Sequence, residues 1–96
     1  MLFALICTDK PASLELRTTT RPAHIEYLKA HAAQIVHGGA LLDAEGKPGG
    51  SLLLVDMPDR AAVERFAAND PYAQAGLFEA TVIRPLRTAV RDGAMA

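Results

Sequence analysis

Ser51-Leu52-Leu53-Leu54-Val55-Asp56-Met57 is the stretch whose reading decides the fold. Side chains of a strand point alternately to opposite faces, so the unbroken run Leu52–Val55 puts apolar groups on both. Such a strand needs cover on two sides. After it, Pro58-Asp59 supplies a helix start with Asp59 as N-cap, and Ala62, Val63, Phe66 and Ala67 follow at helical spacing. Before it, Ala44-Glu45-Gly46-Lys47-Pro48-Gly49-Gly50 reads as a hairpin loop, and Ala40-Leu41-Leu42-Asp43 as the strand that pairs through it. Downstream, Phe78–Leu86 alternates polar Glu79 and Thr81 against Phe78, Ala80 and Val82, with Pro85 marking an edge or a strand end.

The first half repeats the scheme. Leu2–Thr8 is a short apolar run without helical period, closed by Asp9-Lys10-Pro11. Residues 11–20 read as a loop with one helical turn near Ser13–Arg17. Thr20 reads as an N-cap and Pro22 as a first-turn residue, so a helix is expected from about Arg21 to His37. Ile25, Leu28, Ala32, Ile35 and Val36 form its apolar stripe, and Gly38-Gly39 its stop. His24 and His31 fall at one edge of that stripe, and His37 on the solvated side. The order is β-α-β-β-α-β, an α+β ferredoxin-like arrangement: a four-stranded antiparallel sheet with two helices on one face. The first and third strands are apolar on both faces and no third helix exists, so a second copy of the chain is the expected cover for the open face, in a homodimer. The 96 residues form one domain, with a tail from about residue 89 to 96 that is loosely ordered or exchanged.

Composition narrows the functional classes. The net charge is −1 and no basic patch interleaved with aromatics occurs, which argues against nucleic acid. Leu2–Ile6 is too short to span a bilayer. The single Cys7, set in an apolar strand, excludes an intramolecular disulfide and reads as a buried inert thiol in a cytoplasmic protein. His24 and His31 are not at i,i+4 and no cysteine pair exists, so no metal is expected. No glycine-rich loop opens a helix, which removes a phosphate cradle, and no cofactor is expected.

Two proline-marked corners remain. In Asn69-Asp70-Pro71-Tyr72 the residue before proline is pushed out of the helical region, so Asp70 ends a helix on a turn, where carboxylates usually cap. In Arg21-Pro22-Ala23-His24 an imidazole sits beside a helix start. An acid and an imidazole are the parts of an acid–base pair, although from spacing alone a histidine there is more often a surface or boundary residue. Arg17 and Arg21 flank this corner and Lys10 lies near it, so an anion could be held there. One difficulty stands: two parallel helices would place the start of one and the end of the other at opposite poles.

The pieces Asp9-Lys10-Pro11-Ala12-Ser13-Leu14-Glu15-Leu16-Arg17, Arg21-Pro22-Ala23-His24 and Asn69-Asp70-Pro71-Tyr72-Ala73-Gln74-Ala75-Gly76-Leu77-Phe78-Glu79, with Val82-Ile83-Arg84-Pro85-Leu86, together resemble the YCII-related family over nearly the whole chain. The hairpin Ala44–Gly50 looks shorter than in that family. The resemblance implies a dimeric α/β barrel and an active site on His24 and Asp70. It makes a lyase or isomerase plausible without transferring a substrate. Taken with the cations of this corner, the expected chemistry is proton transfer on a small, anionic organic substrate, with Asp9, Lys10, Ser13, Arg17, Arg21 and Tyr72 as substrate-binding residues. A module that binds a small metabolite without chemistry is the alternative. A cofactor-free oxygenase has less behind it, because the chain has no Trp and few aromatics.

Overall fold

The computed structural model describes residues 1–96. Strand β1 (Leu2–Asp9) leads into helix α1 (Leu14–Ala30), a 3-10 turn (Ala32–Gln34) and strand β2 (Ile35–Leu42). Strand β3 (Pro48–Asp56), helix α2 (Arg60–Asn69), the short helix α3 (Pro71–Gln74) and strand β4 (Phe78–Leu86) follow. Residues 88–96 contain a small hairpin of β5 (Val90–Arg91) and β6 (Ala94–Met95). The main sheet has the order β2-β3-β1-β4, with every neighbouring pair antiparallel. This is the ferredoxin-like α+β fold, and its two most apolar strands lie at the centre.

Register sorts the side chains. Phe3 faces Val55 and Leu5 faces Leu53 across the β1–β3 ladder, and these four are buried with Cys7, Met57, Val63, Phe66 and Ile83 in one core. Alternation puts Ala4 opposite Leu54 and Ile6 opposite Leu52 on the other face, where no helix packs and all four are only half-buried. Val82 joins them from β4 at 44 % exposure. Pro85 sits on β4, an edge strand, as a residue without an N–H requires.

Helix α2 follows the sequence closely. The Asp59 carboxylate accepts the Ala62 N–H at 2.9 Å, and Val63 and Phe66 are buried with Ala62 and Ala67 half-buried. Helix α1 does not. It begins at Leu14 and ends at Ala30, so Pro22 lies in its interior and Thr20 is no cap. Ser13 holds the N-cap position, with its hydroxyl donating to the Pro11 carbonyl instead of bonding to the helix. Val36, His37, Gly38 and Gly39 belong to β2 rather than to a helix end, and His37 is exposed on that strand. The glycine pair that reads as a stop lies inside a strand, where Gly38 is required because a Cβ would run into the Leu53 side chain across the ladder, whereas Gly39 faces open space. No helix is long and apolar enough to cross a membrane.

Candidate active site

The early start of α1 removes the difficulty of opposite poles. His24 lies near the middle of α1, not at its beginning, and meets the end of α2 from the side. Its Nδ1 is 2.9 Å from one Asp70 carboxylate oxygen and 3.1 Å from the other. Both residues are buried. Asp70 owes its position to Pro71, which holds it extended at φ −62°, ψ 131°. The same Oδ1 accepts the Tyr72 N–H at 2.9 Å and so caps α3. The capping role and the histidine contact are therefore properties of one carboxylate, fixed by two donors.

A carboxylate on Nδ1 selects the tautomer in which that nitrogen carries the proton. Nε2, on the opposite edge of the ring, has no protein partner, and His24 lines a cavity of about 470 Å³ between α1 and the β2–β3 side of the sheet. Tyr72 packs flat on the imidazole, with ring centroids 3.9 Å apart and planes 19° from parallel. Burial is the main cause that raises the Tyr72 phenol above its ordinary range, with Arg17 and Arg21 opposing it, so the phenol stays protonated.

Arg17 and Arg21 differ in role. Arg17 is buried, its Nε donating to Asp9 at 3.1 Å and its Nη2 to the Gly50 carbonyl and to Ser51 Oγ at 2.6 Å. Its Cζ also lies 4.7 Å from the Tyr72 ring centre. Gly50 suits this crowded junction, since a Cβ there would stand 2.5 Å from the Cys7 carbonyl oxygen. Arg17 thus ties α1, β1, β3 and α3 together at the cavity wall. Arg21, one turn along, is exposed, makes no ion pair and lines the same cavity. It is the cation free to meet a ligand.

The remaining expected residues are placed behind or beyond this cavity. Asp9 backs Arg17 through Oδ2, while its Oδ1 is buried without a partner. Loss of water around it raises the Asp9 carboxyl above the usual range, with Arg17 pulling the other way. Lys10 and Ser13 line a separate cleft of about 280 Å³ toward the β2–β3 hairpin. His31 takes no part in the cavity and packs on Tyr27 and Phe66. No group of three or more His, Cys, Asp or Glu residues is placed to hold a metal ion. Sequence reading missed Ser51 and the Gly38-Gly39-Ala40 wall of the cavity. The one signal for that wall was the glycine pair itself, which has the same appearance as a helix stop.

Comparison with known proteins adds four findings. The profile of the YCII-related domain matches residues 1–87. The protein YciI of Escherichia coli O6:H1 is 31% identical over 100 residues, covering 91% of this chain and 97% of its own. The solved 5-chloro-2-hydroxyhydroquinone dehydrochlorinase of Burkholderia phenoliruptrix AC1100, in complex with 2,5-dihydroxybenzoquinone, superposes with a TM-score of 0.87 at 35% identity, covering 91% of this chain and 94% of that one. An antibiotic biosynthesis monooxygenase, at 16% identity and a TM-score of 0.51 over 92% of this chain and all of its own, shares the fold.

Proposed function

From the premise that the chain belongs to the YCII-related family, we propose that it is a small-molecule enzyme in which His24 is the general base or acid and Asp70 orients and polarises it. The observation that carries this reading is the buried Nδ1–Asp70 contact beside an unpartnered Nε2 on the cavity. In the forward direction Nε2 takes a proton from an acidic C–H or O–H of the substrate. Asp70 stabilises the imidazolium so formed, and the Arg21 guanidinium faces the negative charge left on the substrate. That charge either expels a leaving group, a lyase reaction, or is reprotonated at another atom, an isomerase reaction. The dehydrochlorinase neighbour supports elimination among these. No step requires a cofactor. The substrate is a small organic anion or a molecule that becomes one, since Arg21 and Lys29 are the charged cavity residues outside the Arg17 network. The protein works as a homodimer closed by the open sheet face, and its lone buried Cys7 suits a cytoplasmic setting.

Chloride release from 5-chloro-2-hydroxyhydroquinone and binding of 2,5-dihydroxybenzoquinone test the reading together. The expected result is chloride release above the buffer rate, lowered roughly 10²–10⁴-fold in His24→Gln, with quinone binding weakened in Arg21→Gln. The second reading, a binding module, is favoured by the rigid Arg17 network beside an exposed Arg21. Quinone binding that needs Arg21, with no chloride release and no effect of His24→Gln, would select it.

A further inference from the structure

The cavity is not uniform along α1. Arg21 and His24 occupy its start, and Ile25 and Leu28 of α1 continue it to Ala32 of the 3-10 turn. Opposite them the wall is Gly38-Gly39-Ala40 of β2, with Leu53 and Ile35 behind. From Arg21 to Leu28 the helix advances about 10 Å, and over that length the lining changes from Arg21 and His24 to mostly apolar groups, with Lys29, paired to Glu26, the one charged residue among them. The volume of about 470 Å³ falls in the range of drug-sized ligand sites rather than of single small anions. The glycine at position 38 leaves room at this end, because a Cβ there would run into the side chain of Leu53, which lines the same cavity.

We propose that the ligand of this site is bipartite: an anionic head at Arg21 and His24, and an apolar tail or second ring lying between Leu28–Ala32 and the Gly38–Ala40 backbone. The inference rests on the proposed function for its head and stands on the apolar end for its tail. The tail sets selectivity, since its burial adds binding that a bare head lacks. Charge complementarity orients it. A carboxylate or enolate is drawn to Arg21, which makes no ion pair, whereas the one cation near the opposite end, Lys29, is already paired with Glu26.

Straight-chain carboxylates from acetate to octanoate serve as probes, followed by the amide resonances of Gly38, Gly39 and Ala40 and by titration calorimetry. Affinity is expected to rise about threefold with each added methylene until the cavity is filled. Ala32→Phe, at an exposed position that tolerates the change, should collapse the ratio of octanoate to acetate affinity toward one. Arg21→Gln should weaken all members of the series by the same factor. A series that depends on Arg21 but does not tighten with length overturns the bipartite ligand and leaves the enzyme reading intact. Tightening with length that persists unchanged in Ala32→Phe overturns the proposed position of the tail. Indifference of every member to Arg21→Gln removes the head, and with it the site as described.

Discussion

At the residue scale the weight falls on one carboxylate. Asp70 accepts from His24 Nδ1 and from the Tyr72 N–H, so replacing it disturbs a tautomer and a cap together. Asp70→Asn keeps an acceptor for one of them, and the fold should survive. The ¹⁵N shifts of the neutral His24 ring should report an Nδ1–H tautomer in the parent and a mixture in the variant. An unchanged Nδ1–H signature would sink the orienting role. Asp9 gives a pH test. Its carboxyl is raised by burial despite Arg17, so the folded state holds that proton more tightly than the unfolded chain. Its contribution to stability is full below the usual carboxylate range and is lost as pH rises through the raised value. Asp9→Asn removes that dependence, so the variant should lose more stability relative to the parent in acid than at neutral pH. Denaturant titrations at the two pH values check the sign. Cys7 completes the scale: burial pushes its thiol up to about 11, so a thiol reagent at mildly alkaline pH should label it only after unfolding.

At the element scale the interesting case is α1. Its sequence carries two proline and glycine signals that mark ends in most helices, Pro22 and Gly38-Gly39, and both stand elsewhere here. The true start at Leu14 has no side-chain capping bond to announce it, and the true end at Ala30 passes into a 3-10 turn with no glycine. Tertiary packing overrode local punctuation, because Arg17 must reach Asp9 and Ser51 from a helix and Gly38 must pair with Leu53 in a strand. By contrast α2 and the bounds of β4 were legible to the residue or nearly so, α2 through its local Asp59 cap, while the alternation in β4 did not show that Ile83 rather than Val82 faces the core. The displacement had a consequence for the site. Seven residues of added helix, about 10 Å, carry His24 from a pole to the side of Asp70. The His–Asp pair was therefore suggested by its two corners and its contact by the resemblance, while the helix placement that allows the contact was not legible. Pro22 still has a cost, because it cannot donate to the Thr18 carbonyl. Pro22→Ala should stabilise the protein by about 1–3 kcal/mol, seen as a higher denaturation midpoint at constant slope. A destabilised variant would mean that a proline-imposed bend in α1 is needed for packing.

At the scale of the whole molecule the fold leaves one account open. Helices cover a single face of the sheet, and on the other Leu2, Ala4, Ile6, Leu52 and Leu54 stand half-buried beside exposed Val82 and Leu86. A mostly apolar sheet face on a small chain, interrupted by Arg84 of β4 and His37 of β2, marks an interaction surface. Self-association is the economical occupant, because a two-fold axis through this face brings the same side chains together from both copies. Stable interfaces bury about 1,200–2,000 Å² in total, a demand that a four-stranded face of this size can meet. The protein is thus expected to sediment at twice its chain mass of 10.2 kDa at micromolar concentration. Leu54→Asp separates this from a merely solvated face. Leu54 lies at the centre of the sheet, opposite Ala4 on β1 and His37 on β2, and remains half-exposed within one subunit. In an isolated subunit an aspartate there keeps access to water, so the cost is small. In a sheet-to-sheet dimer two carboxylates would be taken out of water facing each other, a cost of several kcal/mol that His37 and Arg84 on the same face offset only in part. The variant should therefore sediment as a folded monomer with a lowered, concentration-independent unfolding midpoint, whereas the parent's midpoint rises with concentration. A parent protein that is monomeric and concentration-independent, or a Leu54→Asp variant that still sediments as a dimer, would show that this face is not the interface.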